Sequence, residues 1–319
     1  MSAKGSGRRP FVLLVVLAVV AVVVWSFSKR PLDVPPSPGI PLPSLPEVEG
    51  VWLSVIPTAE IKSLEGFSVR GGSMLSGFNS GVAAFLVEHP RGKFLIDAGL
   101  GRDAESHLAT VPWLMRVVTD LDVIQPTVDA LKDGGVNPKS VKGILLTHGH
   151  WDHVSGLADF KQKVPIWLTS DELEYLWKDD GGRLFRELQA QFELPVKEYQ
   201  FTDGAYGPFP WSKDVFGDGS VILLALEGHT PGSIAVLVNL ASGKRYLFIG
   251  DTAWTKEGVE WPAERPFMSR FLVDDDPALV RDQLVFLNKL QQTNPELVIV
   301  PAHDSRVHAR MAQFPNREK

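Results

Sequence analysis

The chain of 319 residues contains no cysteine. Disulfide bonds and thiolate ligands are therefore excluded, and a metal site must be built from histidine and carboxylate side chains. An excess of positive charge is also lacking: the formal net charge is −6, and Lys and Arg form no basic stripe, so we expect no nucleic-acid partner. The Gly-x-Ser-x-Gly motif of serine hydrolases does not occur. Ser233 leads into an apolar run, which indicates a structural role for it.

Histidine is concentrated in one short segment. The chain has eight histidines, and three of them lie in the sequence T-H-G-H-W-D-H, directly after the apolar run from Ile144 to Leu146. A tight loop that follows a strand can direct several imidazoles and a carboxylate at one point. The segment predicts a metal site with four candidate ligands: His148, His150, Asp152 and His153.

Three further apolar runs of strand length end at a candidate ligand. The ligands are His229 in E-G-H-T-P-G, Asp251 in G-D-T and His303 in P-A-H-D. Loops that leave the same edge of a sheet can meet in space, and seven ligands suit two ions better than one. We expect the first ion on His148, His150 and His229, and the second on Asp152, His153 and His303, with Asp251 bridging both. Two Zn²⁺ ions fit this donor set, and another divalent transition metal would also fit.

The ordered set H-x-H-x-D-H, G-H-T-P-G-S, G-D-T and P-A-H-D resembles that of the metallo-β-lactamase fold superfamily, from about Val51 to the C-terminus. The resemblance implies an α+β fold, an αββα sandwich with a dinuclear site at one edge. It also implies that Asp97 is a buried group beside the ligands or in a turn, rather than a ligand. The remaining histidines, His89, His107 and His308, are expected to be ordinary core or surface groups.

The resemblance implies hydrolysis by a hydroxide that bridges two zinc ions. Zinc lowers the pKa of a bound water to about 7, so this nucleophile is available near neutral pH. We assign catalytic roles to Asp251, which holds both ions, and to Asp152, which would pass a proton to the leaving group. A redox di-iron site is disfavoured because flavodiiron relatives have a carboxylate where His150 stands.

The substrate is less well defined than the chemistry. Asp251 and the lack of a C-terminal helical extension favour the acyl-homoserine lactonase-like branch and a small-molecule ester or lactone substrate. Thioesterase activity of the glyoxalase II-like kind, phosphodiesterase activity, β-lactamase activity and a non-enzymatic metal-binding regulatory role remain as alternatives. The regions 108–118 and 261–271 are rich in large apolar groups, and either a lid over an acyl chain or ordinary packing explains them. The sequence does not indicate which of Tyr175, Tyr199 and Tyr206 lies near the metal ions. It also leaves the oligomeric state open.

The N-terminus carries a separate signal. A basic tail at 1–10 precedes an uncharged apolar run at 11–27, which predicts a single transmembrane helix, either an anchor or a signal segment. Because no small-residue cleavage pattern follows, we favour an uncleaved anchor, with the catalytic domain periplasmic or otherwise extracytoplasmic. The proline-rich linker at 28–50 predicts a semi-rigid spacer before a metallo-hydrolase domain at 51–319.

Three helices are predicted as scaffold. A capping box from Thr169 to Glu172 opens one of them, and Asp276 with Pro277 opens another. A third begins at Pro126 and stops at Gly134.

Overall fold

The computed structural model describes residues 8–36, 38–160 and 164–319. In these ranges the strands are β1 (Trp52–Leu64), β2 (Gly77–His89), β3 (Gly92–Ile96), β4 (Asp120–Val123), β5 (Val141–Leu145), β6 (Ile166–Thr169), β7 (Val196–Tyr199), β8 (Ser212–Asp214), β9 (Val221–Ala225), β10 (Ile234–Asn239), β11 (Arg245–Phe248) and β12 (Leu297–Val300). The helices are α1 (Arg8–Phe27), α2 (Glu65–Ser68), α3 (Ala104–Leu108), α4 (Trp113–Val118), α5 (Thr127–Asp133), α6 (Trp151–Val154), α7 (Ser170–Lys178), α8 (Arg183–Phe192), α9 (Glu257–Glu260), α10 (Phe267–Val273), α11 (Pro277–Thr293) and α12 (Ser305–His308).

The strands form two sheets that pack face to face. One sheet has the order β4-β1-β2-β3-β5-β6-β7, and the other has the order β12-β11-β10-β9-β8. The inner faces of both sheets contribute to one apolar cluster, for example Phe85 and Leu145 from the first sheet and Leu223 and Phe248 from the second. Alternation of side chains along each strand leaves a second apolar face on each sheet, which must be covered.

Helices cover both outer faces. Leu131 of α5, Leu176 of α7 and Phe185 of α8 pack in the cluster that covers the first sheet. Leu284 and Leu287 of α11 pack in the cluster that covers the second sheet. The layers are therefore helix, sheet, sheet, helix, and the predicted αββα sandwich is confirmed.

The pairing within the second sheet determines where its loops emerge. β10 is antiparallel to both β9 and β11, and β11 is parallel to β12. Consequently β9, β11 and β12 run in the same direction, and their carboxyl ends lie along one edge of the sheet. The candidate ligands His229, Asp251 and His303 follow these three ends.

The predicted helix starts agree with the structure. Thr169 caps α7 by accepting a hydrogen bond from the backbone N–H of Glu172, and Asp276 caps α11 by accepting from the N–H groups of Ala278 and Leu279. α5 begins after Pro126 and ends before Gly134. The capping box of α7 is only half formed, because the carboxylate of Glu172 bonds elsewhere, as described below.

The transmembrane prediction is wrong. In the three described ranges, no helix combines the length and the apolar character that crossing a membrane requires. The uncharged run of α1 covers only residues 11–27, which is about 25 Å of helix, whereas the hydrocarbon core of a bilayer is about 30 Å thick. The predicted membrane partner and the membrane-anchored, extracytoplasmic localisation have to be withdrawn with it.

The end of α1 and the segment after it lie against the domain. The Ser26 hydroxyl accepts a hydrogen bond from the N–H of Phe267 at 2.8 Å, and Phe27 packs edge-on against Phe67. Further along, the backbone N–H of Leu42 donates to Asn294 at 2.9 Å. The described residues of the proline-rich stretch form no helix or strand, and they contact the domain at several points.

Candidate metal centre

Four loops bring the seven predicted ligands together at one edge of the sandwich. The loop after β5 and the start of α6 carry the H-x-H-x-D-H motif, and the loops after β9, β11 and β12 carry the other three ligands. All seven side chains are buried except that of His150, which is partly exposed. Clusters of three ligand atoms lie within 4.8 Å of one another in three overlapping groups: His148, His150 and His229; His148, His153 and Asp251; Asp152, His153 and His303.

The first group consists of three histidines. Nε2 of His229 lies 2.9 Å from Nδ1 of His150, and the ring of His148 is edge-on to both of the other rings. Burial lowers the pKa of both His148 and His150 well below the ordinary value for histidine. The neutral imidazole, which is the form that binds a metal ion, is therefore favoured.

The second group combines carboxylates and imidazoles. Oδ2 of Asp152 lies 3.3 Å from Nε2 of His303 and 3.9 Å from Nε2 of His153. Such a mixed oxygen and nitrogen donor set suits Zn²⁺ and related divalent ions.

Asp251 lies between the two groups. Its Oδ1 is 3.1 Å from Nε2 of His303 and 3.3 Å from Nε2 of His153, both in the second group. Its Oδ2 is 3.6 Å from Nε2 of His229, in the first group. One carboxylate thus presents one oxygen to each group, which is the arrangement that a bridging ligand requires.

The donor atoms fit metal ions in a further respect. Among the described residues, Nε2 of His148, Nε2 of His153 and Oδ1 of Asp251 are buried and have no hydrogen-bond partner. A buried polar atom without a partner costs about 1–3 kcal/mol, so a cluster of them calls for a ligand. Lone pairs that converge on shared points are the property expected of a site for two cations.

Each histidine is oriented by a hydrogen bond to its other nitrogen. Nδ1 of His153 bonds to Asp97 at 2.8 Å, Nδ1 of His303 donates to the carbonyl of Gly81 at 3.0 Å, and Nε2 of His150 bonds to the Tyr175 hydroxyl at 3.1 Å. Such outer partners select the tautomer and leave the opposite nitrogen free for a metal ion. Asp97 sits at φ 56° and is buried beside the ligands, which matches the role that the resemblance implies for it.

The other three histidines lie away from the cluster and have partners of their own. His89 bonds to Asp218 at 2.9 Å, and His107 bonds to the Ser155 hydroxyl at 2.8 Å. His308 bonds to the carbonyl oxygen of Pro301 at 3.0 Å. They are satisfied buried groups, as expected.

Glu172 is a residue of the site that the sequence pattern assigned only to helix capping. Its Oε1 accepts from the N–H of Gly149 at 2.7 Å, and its Oε2 accepts from the hydroxyl of Thr230 at 2.6 Å. Gly149 stands between two ligands of the first loop, and Thr230 follows His229. The carboxylate therefore fastens two ligand loops to each other and to the start of α7.

We expect the burial of the Glu172 carboxyl group to make stability depend on pH. Burial raises the pKa of Glu172 to about 7, so the folded chain holds a proton that the unfolded chain releases near pH 4.5. The free energy of unfolding should therefore fall as pH rises through about 7, by at most about 3 kcal/mol between pH 5 and pH 8. Glu172→Gln should abolish this fall when metal-free protein is unfolded in urea.

The matched control is Glu174→Gln, which changes an exposed glutamate on the same helix. It should keep the pH dependence of the unaltered chain. Parallel stability curves for Glu172→Gln and the unaltered chain would contradict the assignment.

A cavity of about 650 Å³ opens beside the cluster. One part of its wall is apolar and comes from β1, α2, α4 and α10, for example Leu64, Phe67, Met115 and Phe271. Both regions that the sequence indicated as candidate pocket segments thus contribute to it. The arginines of the second region do not line the cavity, because Arg270 pairs with Glu264 and Arg265 is buried beneath the ligand loops.

The structure shows which of the three candidate tyrosines lies near the ligand cluster. Tyr175 lines the cavity and contacts His150, whereas Tyr199 and Tyr206 lie outside the cavity wall. Trp254 is a further neighbour of the cluster that the sequence did not single out. Its indole N–H donates to Oδ2 of Asp251 at 2.7 Å.

An αββα sandwich with histidines and carboxylates gathered at one edge defines a class of metal-dependent hydrolases. A family model described as the metallo-beta-lactamase superfamily matches residues 78–303, and the chain belongs to this superfamily. The match spans the predicted ligands from His148 to His303.

Known relatives narrow the branch. The N-acyl homoserine lactonase AttM of Agrobacterium fabrum is 29% identical over 241 residues, which cover 73% of this chain and 86% of that protein. A solved N-acyl homoserine lactone hydrolase, with the product N-hexanoyl-L-homoserine at its catalytic metal center, superposes with a TM-score of 0.65 at 20% identity. The superposition covers 84% of this chain and 98% of that chain. AidC, a dizinc quorum-quenching lactonase, gives a TM-score of 0.54 at 14% identity, over 88% of this chain and 92% of that chain.

These structural likenesses show the fold, and the sequence matches show a resemblance to proteins named as lactonases. The predicted membership of the superfamily and the predicted resemblance to lactonases are confirmed. The prediction that the chain is a metal-dependent hydrolase is also confirmed.

Proposed function

We propose that the chain is a dinuclear zinc hydrolase that cleaves an ester or lactone bond in an uncharged substrate with an apolar chain. The observation that carries the proposal is the position of Asp251, whose two carboxylate oxygens face two separate groups of ligands. Two divalent ions bound there would act as Lewis acids and activate water for hydrolysis near neutral pH. The two ions would be held by His148, His150 and His229, and by Asp152, His153 and His303, with Asp251 shared.

The side chains around the ions have separate tasks in this proposal. Asp251 keeps the two ligand groups in register, and the outer hydrogen bonds keep the imidazoles oriented. Asp152 lines the cavity, and its carboxylate would take up the proton that the attacking water releases and pass it to the leaving group. The apolar wall would bind the substrate chain and exclude water from it.

The charge of the cavity favours neutral substrates. Among the described residues that line it, none is Lys or Arg, while Asp179, Asp180 and Asp275 face it at the mouth. These three residues are called the acidic rim below. Phosphodiesters, β-lactams and glutathione thioesters carry negative charge, which the acidic rim repels and which no lining Lys or Arg offsets away from the bound ions. The relatives named as N-acyl homoserine lactonases act on a neutral lactone, in agreement with this selection.

A hydrolysis panel tests the proposal. Purified chain loaded with Zn²⁺ should hydrolyse acyl lactones and neutral aryl esters with a kcat/KM at least about tenfold above that for phosphodiesters, glutathione thioesters or β-lactams. A repulsion of about 1.4 kcal/mol suffices for this factor, and one unscreened like charge nearby supplies as much.

The combined variant Asp179→Asn and Asp180→Asn is the matched control, since it keeps the shape of the acidic rim and removes two of its charges. It should reduce the preference for neutral over anionic substrates, because kcat/KM should rise for anionic substrates only. A preference of the unaltered chain for an anionic substrate would refute the substrate class, and absence of hydrolysis across the panel would refute the activity.

A further inference from the structure

A buried ion pair joins one wall of the cavity to the ligand cluster. Oδ1 of Asp274 lies 2.9 Å from Nη2 of Arg265, and the side chains of both residues are 2% exposed. Arg265 precedes α10 and Asp274 follows it directly. The ion pair therefore joins the two ends of α10. This helix contributes Phe271 and Leu272 to the cavity wall, which contacts substrate in the proposed function.

The carboxylate of this pair also contacts a ligand. Oδ1 of Asp274 lies 2.9 Å from Nδ1 of His229, whose side chain is 1% exposed. A carboxylate accepts hydrogen bonds and cannot donate them, so Nδ1 must carry the proton. The lone pair of His229 is then on Nε2, which faces His150 and Asp251.

The guanidinium reaches a second ligand loop. Nη2 of Arg265 donates to the backbone carbonyl of Asp251, and Nη1 donates to the carbonyl of Thr252 at 3.2 Å. The guanidinium carbon lies 4.7 Å from the ring centre of Trp254, whose indole N–H bonds to the Asp251 carboxylate. Arg265 therefore holds the Asp251 loop by bonding to the backbone carbonyls of that loop. It also neutralises the carboxylate of Asp274, which orients His229.

Arg265 and Nδ1 of His229 are themselves only 3.2 Å apart. Both are donors once Nδ1 carries its proton, so this contact contributes no hydrogen bond. Asp274 is the acceptor that the two donors share, and it is the group that makes their close approach favourable.

We propose that Arg265 and Asp274 form a positioning pair that selects the tautomer of His229 and couples α10 to the metal centre. Neither side chain lies among the predicted ligands. Their effect passes through His229, through the backbone of Asp251, and through the two ends of α10.

The first test uses metal-free protein, so it is independent of the proposed metal binding and activity. Nitrogen-15 NMR of the imidazoles at pH 8, with the His229 signals assigned through His229→Gln, should show a proton on Nδ1 of His229. In Asp274→Asn the population protonated on Nε2 should rise. Protonation on Nε2 in the unaltered chain would overturn the proposal.

The second test rests on the proposed function and measures metal affinity by competition with a chelator. Asp274→Asn should weaken binding of one Zn²⁺ ion by about 10- to 100-fold, the usual cost of losing an outer partner of a ligating histidine, and should leave the other ion nearly unchanged. The control Asp276→Asn removes a carboxylate two residues away and keeps the cap of α11, because asparagine caps a helix as well as aspartate does. It should bind both ions normally.

Asp274→Asn leaves Arg265 buried without its partner, and that charge alone can prevent folding. The double variant Arg265→Met with Asp274→Asn removes both charges and should show the same change in tautomer and the same loss of affinity. Wild-type affinity for both ions in a folded variant of either kind would overturn the positioning role. If the unaltered chain binds no Zn²⁺, the proposed function fails, while the tautomer of His229 still decides the role of Asp274.

Discussion

Asp251→Ala is expected to abolish hydrolysis and metal binding together. Its carboxylate faces both ligand groups, with one oxygen 3.1 Å from Nε2 of His303 and the other 3.6 Å from Nε2 of His229. Without it, each group loses a negative oxygen donor, and the two ions are left to repel each other without a shared counter-charge. We expect the metal content to fall from about two ions per chain to less than one, and kcat/KM to fall by at least about 10³-fold, more than the loss of a single stabilising donor in other sites.

Elemental analysis of the dialysed protein and turnover of the best substrate of the panel check this prediction. Asp282→Ala is the matched control, because it removes an exposed aspartate of α11 and leaves the cluster intact. It should retain both ions and full activity. Two ions per chain or normal turnover in a folded Asp251→Ala protein would show that the bridging assignment is incorrect.

Removal of the metal is expected to lower the stability of the fold substantially. The cluster is buried, and it leaves Nε2 of His148, Nε2 of His153 and Oδ1 of Asp251 without partners among the described residues. An ion that binds only the folded chain stabilises it by about 4 kcal/mol when its free concentration is a thousand times the Kd. Two such ions should raise the Tm by roughly 10 °C or more in a domain of this size, and a strong chelator should reverse the increase.

Thermal unfolding followed by circular dichroism, with and without chelator, measures the shift. The Asp251→Ala protein supplies the control, since a chain that no longer holds the ions should show little response to the chelator. An equal loss of Tm in both proteins would mean that the chelator acts elsewhere. No loss in the unaltered chain would contradict a buried dinuclear site.

Much of the candidate site could be predicted because its ligands are local to strand ends. His148, His150, Asp152 and His153 fall within six residues, and geometry alone keeps them near one another. His229, Asp251 and His303 each follow a short apolar run that reads as a strand, and β9, β11 and β12 occur at those places. The structure brings the seven side chains together in three overlapping groups, and their division between two ions with Asp251 as the bridge stays a prediction.

Other residues of the site could not be predicted from the sequence. A glutamate in the first turn of a helix is common, so the pattern at Thr169 to Glu172 indicated a capping box and nothing more. Only the packing of α7 against the ligand loops turns the Glu172 carboxylate toward Gly149 and Thr230. No sequence pattern indicated Asp274 or Arg265 either. Asp274 contacts His229, which is 45 residues away along the chain, and Arg265 contacts Asp251, which is 14 residues away.

The apolar run at the N-terminus shows the limit of composition. Its uncharged residues favoured a membrane helix, but no helix in the described ranges combines the length and the apolar character that a membrane span requires. The last residues of this helix make specific contacts with α10 and α2 instead, and hydropathy along one segment contains no information about such contacts.

The candidate ligands and their order, the strands that precede them and the superfamily could all be predicted from the sequence alone, because each prediction depends on residues close together in the chain. The tertiary structure decided which loops meet, which nitrogen of each histidine is free, and what charge the cavity presents. Those properties depend on the pairing of β9, β10 and β11 and on side chains that approach from distant segments, and such pairing is set by packing of the whole sandwich rather than by any local pattern.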